Sequence, residues 1–155
     1  MKLISHRGNL FGPELNLENT QPYVEKAIEL GFDVEIDLWY LDSAKSFYLG
    51  HDKPENKTSI SWIKNIGSSL WIHCKNSEAL FNLNSEPNLR YFWHQNDDYT
   101  ITNTGIIWVY PGKKLSKNSV MVLPEIFLDL KLLDINNLQI HGVCSDYIGV
   151  FKPTQ

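Results

Sequence analysis

Histidines, basic residues and paired acids stand at the ends of short apolar runs in this 155-residue chain. His6 and Arg7 follow KLIS (2–5), and Glu35 and Asp37 sit two apart in DVEIDLWYL (33–41). His51 and Asp52 close SFYLGHD (46–52), and His73 and Lys75 sit two apart in LWIHCK (70–75). Side chains two apart on a strand project from one face, so Glu35 and Asp37 share a face, as do His73 and Lys75. Two carboxylates on one face repel unless a cation lies between them. That makes Glu35 and Asp37 a natural pair of oxygen ligands for a hard dication such as Mg²⁺ or Ca²⁺. His6 and His51 titrate near neutral pH and suit acid–base work. Arg7 and Lys75 suit the neutralisation of phosphate oxygens.

Such a set works only if several strands end on one rim. KLIS reads as a strand, and Asn19 or Thr20 caps a helix with Pro22 in its first turn, an apolar stripe behind it and Gly31 as its stop. DVEIDLWYL and SFYLGHD read as extended, SISWIKNIG (59–67) as a short helix capped by Ser59 or Ser61, LWIHCK as a strand, and SEALFNLN (77–84) as a helix capped by Ser77. Beyond it, LRYFWHQ (89–95), GIIWVYPG (105–112), SVMVLPE (119–125) and GVCSDY (142–147) are strand-like, and FLDLKLLDI (127–135) reads as a helix. Alternating strands and helices imply parallel pairing with right-handed crossovers. A full (β/α)₈ barrel needs about 250 residues. The expectation is therefore an α/β fold, a small (β/α)₈ TIM-type barrel over 1–155 with several outer helices reduced or missing, and active residues on the C-terminal rim.

Composition narrows the function. A net charge of −4 argues against a nucleic-acid partner. No apolar run approaches a membrane span, no amphipathic segment suggests a membrane anchor, and MKLISHRG turns polar too soon for a signal peptide. Cys74 and Cys144 have no metal-type spacing and make no disulfide framework, so they read as reduced thiols in a cytoplasmic protein. With few helices to cover the strands, a second copy of the chain is a candidate cover for exposed apolar faces.

The series HRG (6–8), ENT (18–20), EID (35–37), GHD (50–52) and, more loosely, HCK (73–75) resembles the glycerophosphodiester phosphodiesterase family, relatives of phosphatidylinositol phospholipase C. The likeness spans the first half of the chain in the right order, and GVCSDY resembles the family's last strand. It implies a metal-dependent barrel hydrolase acting on a small phosphodiester. His6 and His51 would be the acid–base pair, Arg7 and Lys75 would contact phosphate, and Glu35 and Asp37 would hold the metal. Glu18 would lie at the rim or behind the metal.

Where the family has a third carboxylate two residues before the lysine, this chain has His73. Imidazole accepts Mn²⁺ or Zn²⁺ more readily than Mg²⁺ or Ca²⁺. Asp97, Asp98, Glu125 and Asp146 are candidate substitutes near later strand ends, and His94 is a further candidate for the barrel mouth. Two alternatives stand beside hydrolysis: an anion-binding barrel that has lost turnover, and a phosphodiester lyase or transferase on a lipid-like or polymer substrate.

Overall fold

A single long strand organises the molecule. The computed structural model describes residues 1–151 and holds β1 (Lys2–His6), α1 (Gln21–Glu29), β2 (Asp33–Leu41), β3 (Ser46–Leu49), β4 (Asn56–Thr58), α2 (Ile60–Asn65), β5 (Leu70–Cys74), α3 (Ser77–Leu83), β6 (Tyr91–Trp93), β7 (Tyr99–Ile101), β8 (Ile107–Val109), β9 (Ser119–Val122) and β10 (Gly142–Ser145). The nine-residue β2 pairs in parallel with β1 and β5, and its second half also carries β3 in antiparallel register. Parallel ladders run from β6 through β5, β2, β1, β10 and β9 to β8. The hairpin β3–β4 and the short β7 add antiparallel pairs at the margins.

The expected TIM-type (β/α)₈ barrel is not what forms. The ten strands make one mixed, curled half-barrel with three α-helices among the described residues. Two physical causes are visible. After α3 no α-helix crosses between parallel strands, and loops or 3₁₀ turns take that place. No ladder joins β6 to β7, where the link is Asn103 N–H donating to Tyr91 O at 3.0 Å and Thr100 Oγ1 donating to Trp93 O at 2.7 Å.

The segment expected as a helix over 127–135 is also a correction: it holds 3₁₀ turns at Leu130–Leu132 and Ile135–Asn137. Asp129 and Asp134 accept from the backbone N–H groups of Lys131 and Asn136. Such local bonds compete with α-helical ones and break the run into single turns. One cap differs from expectation: Asn76, not Ser77, caps α3 by accepting from Ala79 N–H. At α1 the N-cap position falls on Thr20, the second of the two expected residues, without a side-chain cap bond. Ser59 caps α2 as expected.

The curled sheet buries both faces. Val34, Ile36 and Leu38 of β2 point outward against Val24 and Ala27 of α1 and Ala79 and Leu83 of α3. Full burial of each large aliphatic side chain in this layer contributes about 2 kcal/mol. The inward face packs Ile4, Trp71, Phe92, Trp108, Val120 and Cys144. Cys74 belongs to the outer layer and Cys144 to the interior, so the two free thiols lie on opposite faces of one sheet. At the N-terminal end of the strands Asp33 closes the interior. It accepts from Trp71 Nε1 at 3.0 Å and Lys2 Nζ at 3.0 Å, while the Arg90 guanidinium stacks 3.9 Å from the Trp71 ring. The inward polar side chains are thereby concentrated at the other end. No helix among the described residues is long and apolar enough to cross a membrane.

Candidate functional site

The turn that ends β1 sets the first side chains. Arg7 and Gly8 both have positive φ, at 56° and 98°, and Asn9 N–H donates to His6 O at 2.9 Å. Two successive positive-φ residues are the pattern of a type I′ turn. Glycine is required at position 8 twice over, since a Cβ there would also lie 2.5 Å from the Tyr23 ring. The tight reversal leaves His6 pointing inward from the strand end and swings Arg7 across the neighbouring β2.

Beside it, β2 presents Glu35 and Asp37 inward, and β5 lies in register with Asp37 opposite His73. Ligand atoms of Glu35, Asp37 and His73 lie within 4.8 Å of one another. His73 Nδ1 is 3.1 Å from Asp37 Oδ1 and 3.8 Å from Glu35 Oε1. The other ring nitrogen, Nε2, donates to the His94 carbonyl at 2.9 Å, and the ring stacks on Phe92 with centroids 5.2 Å apart. A carbonyl can only accept, so Nε2 carries a proton; Nδ1 faces the carboxylates, where it donates to Asp37 when protonated and is open to a metal when it is not.

Asp37 is crowded with cations. Arg7 Nε lies 2.9 Å from Oδ2, and Lys75 Nζ 3.2 Å from Oδ1. Yet Arg7 Nε, Asp37 Oδ1 and Glu35 Oε2 are buried without an aligned hydrogen bond. Burial by itself raises a carboxyl pKa, but His73, Arg7 and Lys75 outweigh it and hold Asp37 well below the usual carboxylate range. At Glu35 the balance is reversed: burial, with the Asp37 charge beside it, outweighs His6, Arg7 and His73 and pushes its carboxyl up.

Four carboxylates, Glu18, Glu35, Asp37 and Asp146, gather against two fixed cations, Arg7 and Lys75. Buried charge is costly unless balanced. The excess of negative charge and the unaligned carboxylate oxygens both fit a divalent ion held by Glu35, Asp37 and His73.

The two histidines expected to exchange protons are held alike. His6 Nδ1 bonds Asp146 Oδ1 at 2.7 Å, which leaves Nε2 toward Glu35 at 3.8 Å. His51 Nδ1 bonds Asp52 Oδ1 at 2.7 Å. Their surroundings push them apart. Burial would lower His6, but the Asp146 hydrogen bond and the Glu35 charge outweigh it and raise its pKa. Burial and the nearby Arg7 lower His51 despite Asp52. His6, Arg7, Glu35, His51, His73 and Lys75 all line one cavity of about 370 Å³.

The remaining expected residues take other places. Glu18 accepts from Asn9 at 2.8 Å and pairs with Arg7 at 3.3 Å, so it steadies the arginine instead of joining the metal cluster. Glu125 accepts from Ser145 Oγ at 2.9 Å and from Asp146 N–H at 2.8 Å, which braces the partner of His6. His94 lines the cavity, but its Nε2 is engaged by Asp97 O at 2.5 Å. Asp98 pairs with Lys113 at 2.9 Å. None of Asp97, Asp98, Glu125 and Asp146 replaces the third carboxylate, since the cluster with Glu35 and Asp37 is completed by His73.

Sequence reasoning missed Asn9 and Asn19. Asn19, buried with φ 55°, donates from Nδ2 to Asp37 Oδ2 at 3.0 Å and accepts from Asp37 N–H at 2.9 Å. Asn9 donates to both Glu18 and Asp146, at 2.8 Å each. The signal for Asn19 lay in its place directly after Glu18, where a helix cap was the simpler reading. No protein-family model, curated protein or solved structure matches this chain.

Proposed function

We propose that the chain is a metal-dependent phosphodiester hydrolase acting on a small glycerol- or sugar-linked phosphodiester. The observation that carries this reading is a Glu35–Asp37–His73 ligand cluster whose Glu35 and His73 line one cavity together with two carboxylate-held histidines and two cations, while Asp37 lies buried just behind. A divalent ion held there would polarise the phosphoryl group and activate the attacking oxygen. Arg7 and Lys75 counter charge that builds on the phosphoryl oxygens. One histidine takes a proton from the nucleophile, a water or a substrate hydroxyl, and the other returns a proton to the leaving alkoxide. Asp146 and Asp52 keep each imidazole in the orientation that frees Nε2 for this exchange.

The ion we favour is Mn²⁺ or Zn²⁺ over Ca²⁺, because one of the three ligands is an imidazole. The two buried free thiols support a reducing, cytoplasmic setting. A second reading has one observation in its favour: Arg7 and Lys75 already pair with Asp37. On that reading the site is an anion-binding module without turnover.

Calorimetric titration with Mn²⁺, Mg²⁺ and Ca²⁺, alongside an assay on bis(p-nitrophenyl) phosphate, tests the choice. Hydrolysis that EDTA abolishes and Mn²⁺ restores is the expected result. Phosphate binding with neither metal uptake nor turnover would hand the site to the second reading.

A further inference from the structure

Two clefts meet at the candidate phosphate site. The cavity described above shares Arg7 and His51 with a neighbouring cavity of about 430 Å³. Their linings differ in kind. Beyond the charged residues, the first is walled by Trp108 and Tyr110 of the β8 end, by His94, by Val122 at the end of β9, and by Leu123 and Ile126 after it. Tyr110 is half-exposed and stacks on His94 with centroids 5.9 Å apart and planes at 25°. With Tyr110 half-exposed, part of this aromatic pair is open to solvent on the cavity wall. The second cleft is lined by Glu18, Asn19, Asp52, Lys53 and Glu55, with Leu15 its one large apolar side chain among the described residues.

A phosphodiester has two substituents, and these clefts offer them different chemistry. Resting on the phosphodiester reading above, we propose that the substrate is asymmetric: a ring-bearing, glycosyl-like group lies in the aromatic cleft and a small polyol in the acidic and basic one. A phosphoryl group at Arg7 and His51 sits where the clefts join, so each substituent is directed outward into one of them. The C–H face of a pyranose covers the Tyr110–His94 surface that glycerol would leave wet. Aromatic side chains with a polar tip suit such half-apolar, half-polar partners. In the other cleft, hydroxyl groups both donate and accept, and Glu55 and Lys53 offer an acceptor and donors 3.4 Å apart. The first cleft, at about 370 Å³, matches a small-ligand pocket and leaves no room for paired acyl chains.

The test uses two non-hydrolysable methylene-phosphonate analogues, glucosyl–glycerol and glycerol–glycerol, titrated calorimetrically with Mn²⁺ present. The intact protein should bind the glucosyl analogue about fivefold tighter. Tyr110→Ala should erase that preference and Tyr110→Phe retain it. Ile126→Ser, at an exposed position of the same wall, serves as a second variant and should narrow the preference too. Glu55→Gln should weaken both analogues together, because both carry glycerol. Equal affinities in the intact protein, binding of neither analogue, or a preference that survives both wall variants would overturn the proposal. Turnover is read separately on the hydrolysable esters. Selective binding without turnover sinks the hydrolase reading and leaves this one standing, while turnover without selectivity does the reverse.

Discussion

A histidine that gives one ring nitrogen to a carboxylate keeps the other for chemistry, and His6 and His51 are both held this way. They differ in depth, with His6 on the cavity floor and His51 at the mouth. Loss of one proton-transfer group should cost about 10²- to 10⁴-fold in rate. His51→Ala is therefore expected to abolish measurable turnover while the circular dichroism spectrum and melting temperature stay close to those of the parent. Undiminished activity would move proton transfer elsewhere, and the half-buried His94 on the cavity wall would be the next residue to substitute. His73 invites the opposite kind of change. His73→Glu adds a third negative oxygen around a hard dication, so Mg²⁺ and Ca²⁺ should bind about tenfold more tightly, and the preference for Mn²⁺ should shrink. Calorimetry on the two proteins side by side decides it; unchanged Mg²⁺ affinity would show that His73 does not face the ion.

At the scale of elements, the β1 turn and β2 do most of the positioning. Gly8→Ala forces a side chain into a φ of 98° and onto the Tyr23 ring, and should destabilise the fold by about 1–3 kcal/mol, read from the urea midpoint. Asn19→Ala removes two hydrogen bonds to Asp37, one at its side chain and one at its backbone N–H, and should cost about 1–3 kcal/mol, with weaker metal uptake besides. An Asn19→Ala protein with full stability and metal affinity would make that residue an ordinary turn asparagine.

Much of this framework was legible beforehand. Alternation in 33–41 gave Glu35 and Asp37 one face, and the spacing of His73 and Lys75 did the same for β5. What could not be read was tertiary. The three residues of β4 and of β7 carry too few alternations to announce a strand. Nor does the apolar content of 127–135 reveal that Asp129 and Asp134 cut it into single turns. Closure was overestimated for a related reason: strands that pair in parallel resemble one another in sequence whether or not the last one meets the first.

For the whole molecule, the half-barrel has one end sealed by Asp33, Trp71 and Arg90 and one end open to solvent around the polar cluster. The sheet between them separates two thiols. Burial pushes the Cys74 thiol up to about 12 and the Cys144 thiol well above its ordinary range, so neither ionises in the closed structure at neutral pH. Each sulfur can thus meet an alkylating reagent only after its own side of the sheet has come apart. Cys74 times the detachment of the helical layer, and Cys144 times the exposure of the interior beneath His6. Filling the cavity with Mn²⁺ should slow modification of Cys144 far more than that of Cys74, followed as mass gain under dilute iodoacetamide. Equal slowing at both positions would mean that the two layers open as a single unit. The chain thus carries two internal clocks, one for each side of the sheet that bears the polar cluster.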